Sequence, residues 1–157
     1  MRRLFLVLAL AVATALSAAA SASSALALAR TPGSESFSLR DGSGIASVWQ
    51  RGALLGHLRS GRLVVVDLPA PGSPTVIVRG HETKKALSAT STEYRGRDMS
   101  FRIYGSTWRV RIRGHGIDVS GVVRGWLRLG GVSGTFAIGD GEYEPWPATP
   151  QVFRLAT

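Results

Sequence analysis

Beyond residue 33 the chain alternates apolar and polar side chains in short runs, and glycine punctuates most of them. Trp108-Arg109-Val110-Arg111-Ile112-Arg113 is the clearest run, with apolar side chains at every second position. A period of two is the signature of a half-buried strand. No stretch sustains helical spacing with a cap at each end. Strands are expected at residues 37–39, 45–49, 53–58, 63–68, 75–79 and 87–94. The second half adds 99–104, 108–113, 125–129, 135–138, 142–146 and 152–155. About a dozen short strands at this spacing predict an all-β domain, a sandwich or barrel of antiparallel strands. The Pro69-Ala70-Pro71-Gly72-Ser73-Pro74 segment reads as a long connection, and Asp140-Gly141 as a tight hairpin.

Arg-Gly recurs at residues 51–52, 79–80, 95–96, 113–114 and 124–125. Glycine takes positive φ without steric cost, so each pair reads as the end or bend of a strand with its arginine at a rim. There is also an internal echo between residues 51–67 and 124–140. Without gaps, Arg51, Gly52, Leu54, Ser60, Gly61 and Asp67 match Arg124, Gly125, Leu127, Ser133, Gly134 and Asp140. Two related halves packed on each other would produce this pattern. So would convergence on a common Gly-rich hairpin.

The first 29 residues follow a different rule. Met1-Arg2-Arg3 is a basic head, and an apolar run extends from Leu4 through Leu16 with one Thr. Small-residue sites follow, so cleavage of a secretion signal is expected after Ala20, Ala22, Ala27 or Ala29. The run is shorter than the roughly 20 residues of a membrane-spanning helix. Arg2-Arg3-Leu4-Phe5-Leu6 resembles a twin-arginine export head, while the short basic region favours the general secretory route. The organisation expected is a signal at 1–29, a linker at 30–36 and one β domain at 37–157, secreted or in the cell envelope.

Charge and composition narrow the classes of function. The 157 residues carry 19 Lys and Arg against 10 Asp and Glu, a formal +9, and no cysteine. Loss of Arg2 and Arg3 with the signal leaves 17 against 10, or +7. Without cysteine there is neither disulfide nor lipid-modified cysteine, so the fold must rest on packing and backbone pairing. Only Lys84 and Lys85 are lysines. Arginine forks onto carboxylates and phosphates, which suits an anionic polymer, although the same excess also serves plain solubility.

Arg113-Gly114-His115-Gly116-Ile117-Asp118-Val119-Ser120, Arg124-Gly125, Asp140-Gly141 and Trp146-Pro147 are similar to a group of small secreted β-rich proteins of high-GC Gram-positive bacteria. The likeness extends over about residues 44–155. That group has no known activity, so the resemblance implies an exported β domain and carries over no site residue.

The best candidate for chemistry is an arginine face. On a strand over 108–113, Arg109, Arg111 and Arg113 point away from Trp108, Val110 and Ile112. A hairpin at Gly105-Ser106-Thr107 would bring Arg102 and Tyr104 onto the same face. Trp146, between two prolines, is expected at a rim in contact with ligand. Arg102, Arg109, Arg111, Arg113 and Trp146 are thus the ligand-binding residues expected. The partner expected is anionic cell-wall polymer or polysaccharide, with extracellular nucleic acid held only non-specifically.

Other chemistry is weakly signalled. Asp140, Glu142 and Glu144 alternate along a strand, about 7 Å apart, too wide to converge on one ion. No metal or other cofactor is therefore expected. His57, His81 and His115 form no H-E-x-x-H motif, and no serine lies in G-x-S-x-G. His115, Asp118 and Ser120 are the nearest approach to a hydrolytic set. The reading is a non-enzymatic surface or extracellular binding module. A structural or self-associating envelope protein is the alternative, and a secreted hydrolase comes third.

Overall fold

The computed structural model describes residues 34–156, so the secretion signal expected at 1–29 and most of the linker lie outside the described residues. The described chain is all-β and antiparallel. It comprises β1 (Glu35–Asp67), β2 (Thr75–Ser88), β3 (Ser91–Ile138), β4 (Glu144–Pro145) and β5 (Gln151–Leu155). They form one sheet in the order β1-β3-β2, with β4 and β5 also paired to β3. The pairings among the described residues describe neither a second stacked sheet nor a ladder closing the outer strands on each other. No described helix is long and apolar enough to cross a membrane.

The dozen short strands expected from the sequence are segments of a few long ones. β1 runs 33 residues and β3 runs 48. The glycines taken for strand ends lie inside them. Gly52, Gly61 and Gly125 have φ of 149°, 145° and 150°, so the strand bends there and continues. β3 likewise passes through Gly105 (φ 76°) and Ser106 (φ 42°) without reversing. The hairpin expected at residues 105–107 is therefore a bend. Ser106 Oγ donates to the Gly72 carbonyl at 2.5 Å, docking the proline-rich connection onto it.

β3 flanks β1 on both edges, and this requires winding. Gly121 pairs with both Phe37 and Leu54, and Val48 pairs with both Val110 and Leu127. Phe37 and Leu54 are 17 residues apart in β1, or about 56 Å of extended chain, yet stand two strand spacings apart, about 10 Å. The ribbon of β1 and β3 thus comes round on itself about once in 17 residues. The segments matched in the sequence meet only at their ends, where Arg51 pairs with Arg124: from there 51–67 runs beside 124–108, and 124–138 runs beside 51–37.

The bend has a chemical line. Gly131, Gly44, Gly114, Gly61 and Gly96 succeed one another across five neighbouring passes of chain. A Cβ on Gly61 would overlap the Arg113 carbonyl and crowd Gly114, and one on Gly114 would overlap the Ser60 carbonyl. Only glycine permits backbones to cross so closely, and the sheet folds along this seam.

Both flanks of the seam turn their inner side chains into a single apolar cluster, from Phe37 to Leu155. Leu39, Leu54, Leu63, Ile103, Trp108 and Leu129 are almost completely buried. Complete burial of such side chains stabilises by about 1.5–3 kcal/mol each relative to exposure, a main source of stability in a chain without cysteine.

Trp146 belongs to this interior and not to a ligand-contacting rim. It is 6% exposed, and its ring fills the space over Gly42. Its Nε1 donates to the Thr135 carbonyl and its backbone N–H to the Gly134 carbonyl. The flanking prolines close off a short connection and do not expose the indole. The strand expected at 142–146 shortens to β4, following a turn at Gly139 (φ 62°).

Candidate functional site

Outward side chains on one flank of the seam make a basic face three rows deep. The row nearest the seam is Ile45, Arg113, Arg62 and Arg95. The next is Arg128, Ser47, Arg111, Val64 and Glu93, with Lys85 of β2 beyond. The third is Arg154, Trp126, Trp49, Arg109 and Val66. The alternation expected over 108–113 holds: Trp108, Val110 and Ile112 are buried while Arg111 and Arg113 are exposed and Arg109 is half-buried. The rings of Trp49 and Trp126 stack at 6.4 Å and 19°, and the Arg154 guanidinium lies 5.6 Å from the Trp126 ring.

Arginines directly opposite one another repel. Arg113, Arg62 and Arg95 tolerate this alignment partly because Glu93, buried at 6% exposure, sits between two of them. Arg95 Nε donates to Glu93 Oε1 at 2.7 Å, and Arg62 Nη1 to Oε2 at 3.3 Å. The Arg95 hydrogen bond holds the Glu93 carboxyl below its usual range, overcoming the opposing effect of burial, and the charges of Arg95 and Arg62 lower it further. Glu93 is the only carboxylate in the three rows. Among the described residues no carboxylate pairs with Arg109, Arg111, Arg113 or Arg128.

The face is indented. Gly61, Arg62, Arg95 and Arg113 line a shallow depression of about 360 Å³. A cleft of about 390 Å³ shares Arg62 and Arg113 and adds Ile45, Val64, Val66, Leu87 and Arg111. Charge-assisted forks at fixed spacing, beside a stacked tryptophan pair, are equipped to hold a polyanion carrying rings or sugars.

Arg102 lies elsewhere. Because residues 105–107 bend without reversing, 101–104 pair with 53–56 of β1, and Arg109 pairs with Val66. Leu55, opposite Arg102, and Val66 are 11 residues apart, about 36 Å of extended chain. Arg102 instead lines a larger groove of about 790 Å³ on the other flank of the seam, with Arg40, Arg79, Ser100, Asp118 and Ser120. Tyr104, two residues on, is 40% exposed on the same face.

The structure does not bring His115, Asp118 and Ser120 together. His115 Nδ1 contacts Ser43 Oγ at 3.1 Å, and Asp118 Oδ1 accepts the Asp41 backbone N–H at 2.9 Å. Asp140, Glu142 and Glu144 are exposed. Among the described residues no group of three or more His, Asp or Glu side chains is placed to share a metal ion.

Arg62, Arg95, Trp49 and Trp126 join the face without having been expected there. In Arg62-Leu63-Val64-Val65-Val66 the outward valines hide the alternation, because an all-valine run has no visible phase. No protein-family model, curated protein or solved structure matches the chain.

Proposed function

We propose that this protein is an exported, non-enzymatic binding module that holds an anionic polymer on its arginine-rich outer face. The observation that carries the reading is the row Arg113–Arg62–Arg95, extended by Arg111 and answered by the single carboxylate Glu93. Cell-wall polymers bearing phosphate or carboxylate, and acidic polysaccharides, are the partners of choice. Nucleic acid is held by the same charges without base selectivity. Export rests on the leader read in the sequence.

The test is retention of the full chain on the wall fraction of its producer and on DNA, at low and high salt. Capture that weakens with salt, and is lost in an Arg111→Glu/Arg113→Glu variant, supports the reading. Identical behaviour of variant and wild type returns these arginines to the solvated surface.

Self-association is the second reading, and β2 is the observation that favours it. This strand pairs with β3 along one edge, and among the described residues no strand pairs with its other edge, which can template addition of another strand. Lys84, Lys85 and the bend at Gly80 blunt that edge. Sedimentation without ligand separates the readings, since assembly there requires no polyanion.

A further inference from the structure

The larger groove on the opposite flank of the seam has a chemistry of its own. Two rows of outward side chains cross it. One runs Ser38, Ser120, Leu55, Arg102 and Ile77, and the other brings together Asp118, Ser100 and Arg79, with Arg40 at the far end. From β2 to the first segment of β1 the groove crosses four strand spacings, about 19 Å. Its volume of about 790 Å³ lies in the range of built ligand sites.

The polar groups fall in a definite pattern. Arg79 and Arg102 sit towards the β2 side, and no carboxylate pairs with either among the described residues. Ser38, Ser100 and Ser120 offer hydroxyls that both donate and accept. Asp118 has Oδ1 fixed by the Asp41 N–H, and Asp41 is in turn paired with Arg59 at 3.2 Å. Its other oxygen is left to accept from a hydroxyl. Leu55 and Ile77 form apolar ground between the polar groups, and Ile77 is 40% exposed.

A bare polyanion such as polyphosphate does not suit this arrangement, because it brings no hydroxyl for Asp118 to accept from and no apolar face for Leu55 and Ile77. A ligand that carries carboxylates, hydroxyls along its edges and apolar C–H faces suits every part. We infer that this groove is a second binding site, separate from the basic face, for a short acidic oligosaccharide. Its carboxylates lie on Arg79 and Arg102, its hydroxyls on the serines and Asp118, and its ring faces on Leu55 and Ile77.

The experiment is calorimetric titration of the full chain with tetragalacturonate, the uncharged galactose tetramer and polyphosphate. Tetragalacturonate is expected to bind, and the uncharged tetramer at least tenfold more weakly. Arg79→Gln/Arg102→Gln should weaken tetragalacturonate binding at least tenfold, and by more than Arg111→Glu/Arg113→Glu does. Asp118→Asn should weaken the oligouronate while leaving polyphosphate binding equal or stronger. Ser120→Tyr, which fills the groove without touching a charge, should abolish oligouronate binding with the thermal unfolding midpoint preserved. The inference is overturned if tetragalacturonate does not bind, or if its binding survives both Arg79→Gln/Arg102→Gln and Ser120→Tyr. Loss only in Arg111→Glu/Arg113→Glu would assign the ligand to the basic face instead.

Discussion

Arg95 donates from Nε to Glu93 Oε1 at 2.7 Å, and through this bond a buried carboxylate is carried within a face of arginines. The Glu93 pKa is depressed in the folded protein. Its stabilising effect is therefore complete above the unfolded carboxylate value of about 4.3, and is lost as pH falls through the lower folded value. Glu93→Gln should lower the thermal midpoint at neutral pH, and the gap to wild type should narrow below about pH 4.3. Calorimetric melts from pH 3 to 7 check this. A gap independent of pH would show that the charge of Glu93 contributes nothing.

Gly61 and Gly72 both have positive φ, 145° and 78°, but only Gly61 has backbone against it. A Cβ on Gly72 meets nothing within 4 Å. Gly72→Ala should cost only the local backbone preference, about 1–2 kcal/mol. Gly61→Ala must also displace the Arg113 carbonyl, so its loss in urea-measured stability should exceed that of Gly72→Ala.

Arg111 and Arg113 each present an unneutralised guanidinium to solvent. If each meets one anionic group of the bound polymer, their double reversal should reduce the slope of log affinity against log salt by about 2. Titration with a polyanion at several salt concentrations measures the slope. An unchanged slope would place the polymer away from these side chains.

Trp108 Nε1 is buried and has no hydrogen-bond partner in the structure. An unpaired buried donor costs about 1–3 kcal/mol. Trp108→Phe removes the donor while leaving a smaller ring, so the two effects oppose and the change in stability should stay within about 2 kcal/mol. Trp108→Ala, which removes the donor too but empties far more space, should cost about 3–5 kcal/mol. Chemical denaturation of both variants checks the contrast.

Strand chemistry was legible in the sequence wherever polar and apolar positions alternate strictly, as at Arg109, Arg111 and Arg113. It was illegible at Val64 and Val66, where the outward side is as apolar as the inward one. Glycine was legible as a bend but not as a continuation, because a residue at φ near 150° leaves no mark distinguishing a strand that coils from one that stops. That ambiguity cost the position of Arg102, since its place depends on whether residues 105–107 reverse the chain. Trp146 was misplaced for a related reason. Its prolines exclude a long strand, but a contact across more than 100 residues, with Gly42, decides which way the ring turns.

The winding of β1 against β3 fixes the spelling length of the chain. Most residues of β1 are read twice, once along each edge, so one added or deleted residue between Gly44 and Gly61 would shift both registers and carry outward side chains inward along the remainder. Length variants of this protein should therefore tolerate change in the connection at residues 68–74 or after Ile138, where no second ladder has to stay in step, and reject it inside the turn.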